Sequence, residues 1–382
     1  MHIIATQQRH HMLKHVKILD FSRVLAGPLC TMSLGDLGAD VIKVERPAGG
    51  DETRGWGPPF SPDGESAYYL SINRNKLGAA LDLDVPADRA LIGALLAEAD
   101  VVVENFRPGV LARRGLDAES VRARYPRIIW CTIVGFVGEP DRPGYDFVVQ
   151  AESGWMSVTG EPEGAPMKHG VALADVLAGK DAAIAILGAL VARVATGEGR
   201  TVTVSLEGSA EAALVNVAQN ALVSGSAPER WGNAHANLVP YQLFSAADRP
   251  IVIAVGNDAQ WVKCARALEL EQLADDAALR TNAGRLAHRA LVVETMRARV
   301  LERPAREWRE RLDVAGVPCG VVRSVLEVLE STEGSAITGM APSVPGSIRR
   351  RPPRLGEHTE LIRQTGWNAF RRETQDMRIL RA

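Results

Sequence analysis

The stretch "VKILDFSRVLAGPLCTMSLGDLGADVIKVERP" (residues 16–47) decides the fold. Val16–Ser22 is short, apolar and rich in branched residues, the signature of a buried strand. The chain then turns at Gly27-Pro28 and continues with helical spacing; proline suits a first helical turn, where its missing N–H is no loss. Asp40–Pro47 reads as a second strand. Two strands joined through a helix within about thirty residues form a β-α-β unit, hence a parallel sheet with a right-handed crossover.

The alternation continues outward. Gly78–Asp84 reads as a strand, "ADRALIGALLAEA" as a helix, and Asp100–Phe106 as an apolar strand with a polar end. "LDAESVRARYP" is a capped helix and Arg127–Phe136 another buried strand. This spacing argues for a doubly wound α/β domain. From about Thr201 the character changes: a strand, a helix, the polar and aromatic connection Arg230–Phe244, a strand ending in a glycine turn, then helices to about Val322. A proline-rich extended segment, "RPPRLGEHT", precedes a short closing helix.

A chain of 382 residues suggests two or three domains, and 46% hydrophobic with 24% charged residues is ordinary for a globular protein. A net charge of −2 supplies no basic field for nucleic acid or an anionic membrane. Cys30, Cys131, Cys264 and Cys319 form no CxxC pair, no HExxH occurs, and the histidines past the N-terminus are scattered. That pattern predicts free thiols in a reducing compartment and no metal site. Ala182–Ala192, the longest uncharged apolar run, is about half of the ~20 residues a bilayer needs. A cytoplasmic location is expected. The tail "MHIIATQQRHHMLKH" has too short an apolar stretch for a signal peptide and is set aside.

Four places carry chemistry. The "VLAGP" turn lies where an open α/β sheet binds phosphate, yet G-x-G-x-x-G is absent, which disfavours a dinucleotide dehydrogenase. Arg46, beside Glu45, suits a ligand with an extra phosphate near its sugar, as in coenzyme A, or is an ordinary surface arginine. "ENFRPGVLARRG" delivers Asn105, Arg107, Arg113 and Arg114 to the sheet's carboxyl edge, as a phosphate site or as a solvated helix start. Asp175, between an extended segment and a nearly all-apolar helix, is either a functional acid or an N-cap; Asp181 competes for the cap. "AVGNDAQW" (Ala254–Trp261) is either a mobile turn offering backbone N–H groups or a plain turn with Asn257 or Asp258 as cap.

Taken in order, these segments together with "YYLSINRNK", "PGYDFVVQAESGWMSVTG", "ADVLAG", "GEGRTVTVSLEGS" and "RLGEHT" resemble the family III CoA-transferases, over essentially the whole chain beyond the tail. Within that family "RWGNAHANLVPYQLF" looks most like the succinyl-CoA:glutarate type. The resemblance implies a Rossmann-like large domain built from both chain ends, a smaller inserted α+β domain, and a homodimer of two interlocked rings. On that basis residues 1–15 are a tail, 16–220 and 331–382 the large CoA-binding domain, and 221–330 the small domain.

The resemblance also assigns roles. Asp175 is the nucleophile, which forms an aspartyl anhydride and then an aspartyl-CoA thioester. Val24, Leu25, Ala26, Arg46, Leu81, Asn105, Phe106, Arg107 and Arg113 contact CoA, with Phe136 and Val137 on a loop shorter than in relatives. Gly256, Asn257 and Gln260 belong to a loop that covers the intermediate and excludes water; it has one glycine where relatives have several. Arg23, Tyr145, Arg230 and His235 face the acid, with the arginines and His235 suited to a distal carboxylate. Related 2-methylacyl-CoA racemases have a histidine where Tyr145 stands, and a tyrosine of ordinary pKa near 10 is a poor base for an α-carbon. The expected activity is CoA transfer from succinyl-CoA to a dicarboxylate. The alternatives are a racemase or epimerase and a catalytically silent acyl-CoA binding protein.

Overall fold

The structure, a computed structural model, describes residues 12–373; the first eleven residues of the expected tail lie outside them. Its contacts separate into two units.

The first unit takes residues 12–155, 168–219 and 332–373. Its sheet has six parallel strands: β1 (Lys17–Asp20), β2 (Asp40–Glu45), β3 (Lys76–Ala80), β4 (Val101–Glu104), β5 (Ile129–Val134) and β6 (Thr201–Ser205). They lie in the order β3-β2-β1-β4-β5-β6, as in doubly wound nucleotide-binding sheets. The crossovers carry α1 (Ala26–Asp36), α2 (Ala67–Ser71), α3 (Pro86–Leu96), α4 (Ala118–Arg124), α5 (Asp146–Glu152), α6 (Trp155–Val158) and α7 (Leu173–Thr196); α8 (Leu206–Ala212) and α9 (Val215–Ser224) follow β6. Two apolar clusters cover the sheet's faces. One joins Ile18, Val41, Val103 and Cys131 to the inner sides of α1 and α7; the other joins Leu19, Ile42, Val102 and Trp130 to α3, Ile362 and Trp367. Alternate residues of each strand feed opposite clusters, as the two-residue period of a strand demands.

One expectation shifts. The third strand begins at Lys76 rather than Gly78, because the ammonium of Lys76 is fully buried on Asp20 Oδ2 (3.0 Å), the Pro28 carbonyl (2.9 Å) and Asn73 Oδ1 (2.9 Å). A lysine so satisfied can stand inside a sheet. The strand read at Thr201 extends the same sheet: Thr201–Ser205 pairs in parallel with Trp130–Val134.

The segment 349–358 runs along the outer side of β3. Asn75 Oδ1 accepts from the Arg349 (2.6 Å) and Arg350 (3.0 Å) amides, and the Gly78 amide donates to His358 Nδ1 (3.2 Å). Gly78 permits this approach, since a Cβ there would meet Pro353 at 3.0 Å.

The second unit takes residues 156–167 and 220–331. Its antiparallel sheet has the order β7 (Tyr241–Ser245), β8 (Pro250–Ala254), β9 (Cys319–Val321), with α10 (Asp258–Ala267) opening the helical stretch between β8 and β9. Trp261, Trp308, Val292 and Met296 are among its core residues. Residues 156–167 fall within linear bounds read as the large domain. They cluster here because Arg230 gathers them: its guanidinium donates to the Ser157, Glu161, Pro162 and Gly164 carbonyls at 2.8–3.4 Å. Among the described residues no helix is long and apolar enough to cross a membrane.

Candidate active site

In this strand order the chain leaves β1 and β4 in opposite directions, and a crevice opens at their carboxyl ends. Arg23, just past β1, and Asn105, just past β4, clasp each other there: the Arg23 amide donates to Asn105 Oδ1 (2.9 Å) and Asn105 Nδ2 to the Arg23 carbonyl (2.8 Å). The next residue, Val24, has φ +69, a left-handed conformation that a β-branched residue adopts only under constraint. Its amide reaches Asp51 Oδ1 (3.3 Å), whose other oxygen holds the buried Lys43 ammonium (3.0 Å). The turn is therefore tied to a buried charge network of Asp51, Lys43, Asp20 and Lys76.

Asp175 lies in the first turn of α7, buried. It is not the N-cap. Ala172 holds that position without a side-chain bond, and Asp146 caps the helix from outside: its Oδ1 accepts from the Ala174 (2.8 Å) and Asp175 (3.3 Å) amides. Asp181 is no cap either, since its Oδ2 accepts from the Ser209 hydroxyl of α8 at 2.7 Å. With the backbone donors taken by Asp146, the Asp175 carboxylate is left for other work. One turn on, Gly179 shares its face. A Cβ on Gly179 would meet the Ala26 carbonyl at 2.6 Å, so glycine lets the start of α1 press against α7. That contact brings the Ala26 amide onto the Asp175 carboxylate.

The electrostatics follow from this packing. Burial, and then the negative charge of Asp146, raise the Asp175 pKa from 3.8 to about 7, with the Ala26 amide pulling the other way. Tyr68 faces the same charges. Burial, with Asp175, Asp146 and Asp51, raises its phenol, so it stays neutral. Its ring meets Trp56 edge-on at 5.1 Å.

A cavity of about 400 Å³ collects much of what the sequence singled out: Arg23, Val24, Ala26, Asn105, Phe106, Arg107, Tyr145 and Asp175 all line it. Leu25 precedes α1 as its N-cap residue. Arg46 and Arg113 are exposed, the former with its Nε on the Gly50 carbonyl at 3.1 Å. Arg114, by contrast, is held by both oxygens of Asp84. Leu81 and Phe136 are buried in the two apolar clusters, which leaves only their backbone to meet a ligand. Val137 is exposed. The loop between β5 and α5 is pinched where Gly135 and Gly144 touch, since a Cβ on Gly144 would meet the Gly135 Cα at 2.2 Å. The pinch turns Arg142 and Tyr145 to the cavity.

In the second unit Asn257 is the N-cap of α10, accepting from the Gln260 amide (2.9 Å), while Gln260 Oε1 accepts from the Gly256 amide (2.9 Å). The three residues form one closed turn. Arg230 is engaged with backbone carbonyls, and His235 leans on Tyr241 with Nδ1 accepting from the Asn237 amide at 3.0 Å. Sequence reasoning missed Asp146, Glu52, Tyr68 and the buried lysines. The signals were slight: a lysine inside the apolar "VIKVE", another in "NRNK", and an acid directly after Tyr145. Among the described residues no group of acidic, histidine or cysteine side chains has the arrangement to hold a metal.

Comparison with known proteins gives the same direction. Residues 13–359 match CoA-transferase family III. The chain is 40% identical to the succinate–glutarate CoA-transferase of Agrobacterium fabrum, over 92% of this chain and 94% of that protein. It is equally 40% identical to the human succinyl-CoA:glutarate CoA-transferase, over 92% of this chain and 85% of that one. A CAIB/BAIF family protein from Brucella suis, 38% identical, superposes with a TM-score of 0.83 over 94% of this chain and 99% of its own. The chain belongs to CoA-transferase family III.

Proposed function

We propose that this protein moves CoA from succinyl-CoA to a dicarboxylic acid such as glutarate, with Asp175 as the nucleophile. The observation that carries this reading is a carboxylate buried against Asp146, free of any capping duty, at the wall of the sheet's ligand crevice. Similarity to succinate–glutarate transferases supplies the acids.

Four exchanges balance. An Asp175 oxygen attacks the donor's thioester carbonyl; the C–S bond breaks, leaving an anhydride and CoA thiolate. The thiolate attacks the Asp175 carbonyl and expels succinate, giving an aspartyl thioester. The acceptor's carboxylate attacks that carbonyl and expels the thiolate. The thiolate then takes the acceptor's acyl group, and the Asp175 carboxylate is restored. A raised proton affinity makes the charged Asp175 carboxylate a stronger nucleophile than an ordinary aspartate. The Ala26 amide supplies a donor on the Asp175 side.

Arg107 and Asn105 at the cavity wall, with Arg46 and Arg113 outside it, form the CoA-binding side. Gly256, Asn257 and Gln260 serve as the covering loop, and His235 assists the acid. Arg230 acts chiefly by holding residues 157–164. A homodimer accounts for an exposed apolar stripe on α7, Ile184, Val191 and Val194, which a lone chain leaves in water. The cytoplasm, where CoA esters are available, fits the four free cysteines.

The test is initial-rate transfer from succinyl-CoA to a panel of acids. The expected result is glutarate and its C4–C6 neighbours well ahead of formate and acetate. Equal rates with monocarboxylates would overturn the dicarboxylate reading, and deuterium entering the α-carbon without transfer would point to a racemase.

A further inference from the structure

One wall of the cavity carries an ion pair that the mechanism above does not use. Arg23 Nη1 donates to Glu52 Oε1, and both residues line the cavity with Asp175. Each is half-buried, yet each keeps one inaccessible atom without a partner: Arg23 Nε and Glu52 Oε2. The backbones on both sides are fixed, Arg23 by Asn105 and Glu52 by the Asp51 cap of the 3-10 turn Glu52–Gly55. The Phe106 ring covers the guanidinium face, its centroid 5.2 Å from the Arg23 Cζ. With one face covered, the guanidinium's edges are its hydrogen-bonding sides, and an edge-on guanidinium is matched by a carboxylate.

We infer that Glu52 is an internal stand-in for the substrate's second carboxylate: it occupies Arg23 while the acid subsite is empty and is exchanged, carboxylate for carboxylate, when a dicarboxylate or its half-thioester binds. The inference rests on the dicarboxylate-transferase reading. A half-exposed ion pair contributes little, so exchange is easy. The incoming carboxylate takes the Nη1 donor that Glu52 vacates, and Glu52 turns to solvent. No bond is made or broken. Glu52 is thus a specificity-determining residue: it neutralises Arg23 when the acid brings no second charge and competes when the acid does.

The experiment is steady-state transfer to glutarate and to pentanoate, the same chain without the second carboxyl, in wild type, Glu52→Gln, Arg23→Gln and the double variant. Glu52→Gln is expected to lower the KM for glutarate roughly fivefold relative to that for pentanoate, as removal of an exposed competing ion pair allows. Arg23→Gln should raise the glutarate KM selectively, and in that background Glu52→Gln should lose its effect. Glu52→Met repeats the test should the glutamine variant fold poorly. A glutarate KM that rises, or that moves in step with the pentanoate KM, would overturn the stand-in role. Wild type that transfers to no dicarboxylate at all would instead overturn the reading on which it rests.

Discussion

Asp20 and Asp175 are both buried aspartates of the same unit, and their surroundings drive them apart. At the end of β1, burial works to raise Asp20, but Lys76, Lys43 and the Ser22 and Thr31 hydroxyls outweigh it and hold the carboxyl down at about 2. On α7, burial acts on Asp175 with a second carboxylate beside it and no cation among the causes, and the pKa rises to about 7. One acid is permanently charged and structural, tying strands to the β1–α1 turn. The other hovers between charged and neutral at the pH of a cell, as a nucleophile that must also leave again should. Burial alone does not mark a functional acid; the sign of its neighbours does.

The contrast can be broken from either side. The largest thermodynamic effect should come from Lys76→Met, which removes the partner of Asp20 and strands a buried charge at a cost of about 3–5 kcal/mol. Urea unfolding would measure it. A loss below about 1 kcal/mol would mean that Lys43 and the hydroxyls suffice.

Asp175→Asn should act in the opposite direction. The folded state binds the Asp175 proton more tightly than the unfolded chain does, so its contribution to stability is present below about pH 4 and is lost as pH rises through about 7. Above that pH the charged carboxylate burdens the fold by up to roughly 4 kcal/mol, the equivalent of the rise from 3.8 to about 7. The amide escapes this burden. The variant should therefore be more stable than wild type at pH 8, with the advantage vanishing near pH 4, as denaturation at the two pH values would reveal.

Gly179→Ala places a methyl 2.6 Å from the Ala26 carbonyl and should destabilise by about 1–3 kcal/mol, with a lowered kcat as α1 is pushed from Asp175. Unchanged kcat with reduced stability would separate packing from catalysis. The smallest effect is expected from Asp146→Asn. Its amide oxygen can still accept from Ala174, but the negative charge is gone, so the acid limb of kcat/KM should move to lower pH. A limb that stays in place would make burial the sole cause.

How much of this could be read from the sequence divides along the same line. The β-α-β opening and the strand spacing are written in short contiguous patterns, and Asn105 and Arg107 follow from their places after a strand. Arg23, Val24 and the role of Asp175 come only from the family resemblance. The environments are not so written. Asp146 reaches Asp175 from 29 residues away, Lys76 reaches Asp20 across 56, and Asn75 meets Arg349 across 274. Periodicity carries no trace of such partners. Periodicity therefore puts Lys76 before its strand and makes Asp175 and Asp181 rival caps, whereas the cap comes from another helix.

The central claim is that Asp175 becomes acylated. Intact-protein mass after incubation with succinyl-CoA and then hydroxylamine tests it most directly, with peptide mapping of wild type and Asp175→Ala. The account predicts a hydroxamate on Asp175 in wild type and none in the variant. Transfer that proceeds with no modification of Asp175, or an adduct that persists in Asp175→Ala, would contradict it.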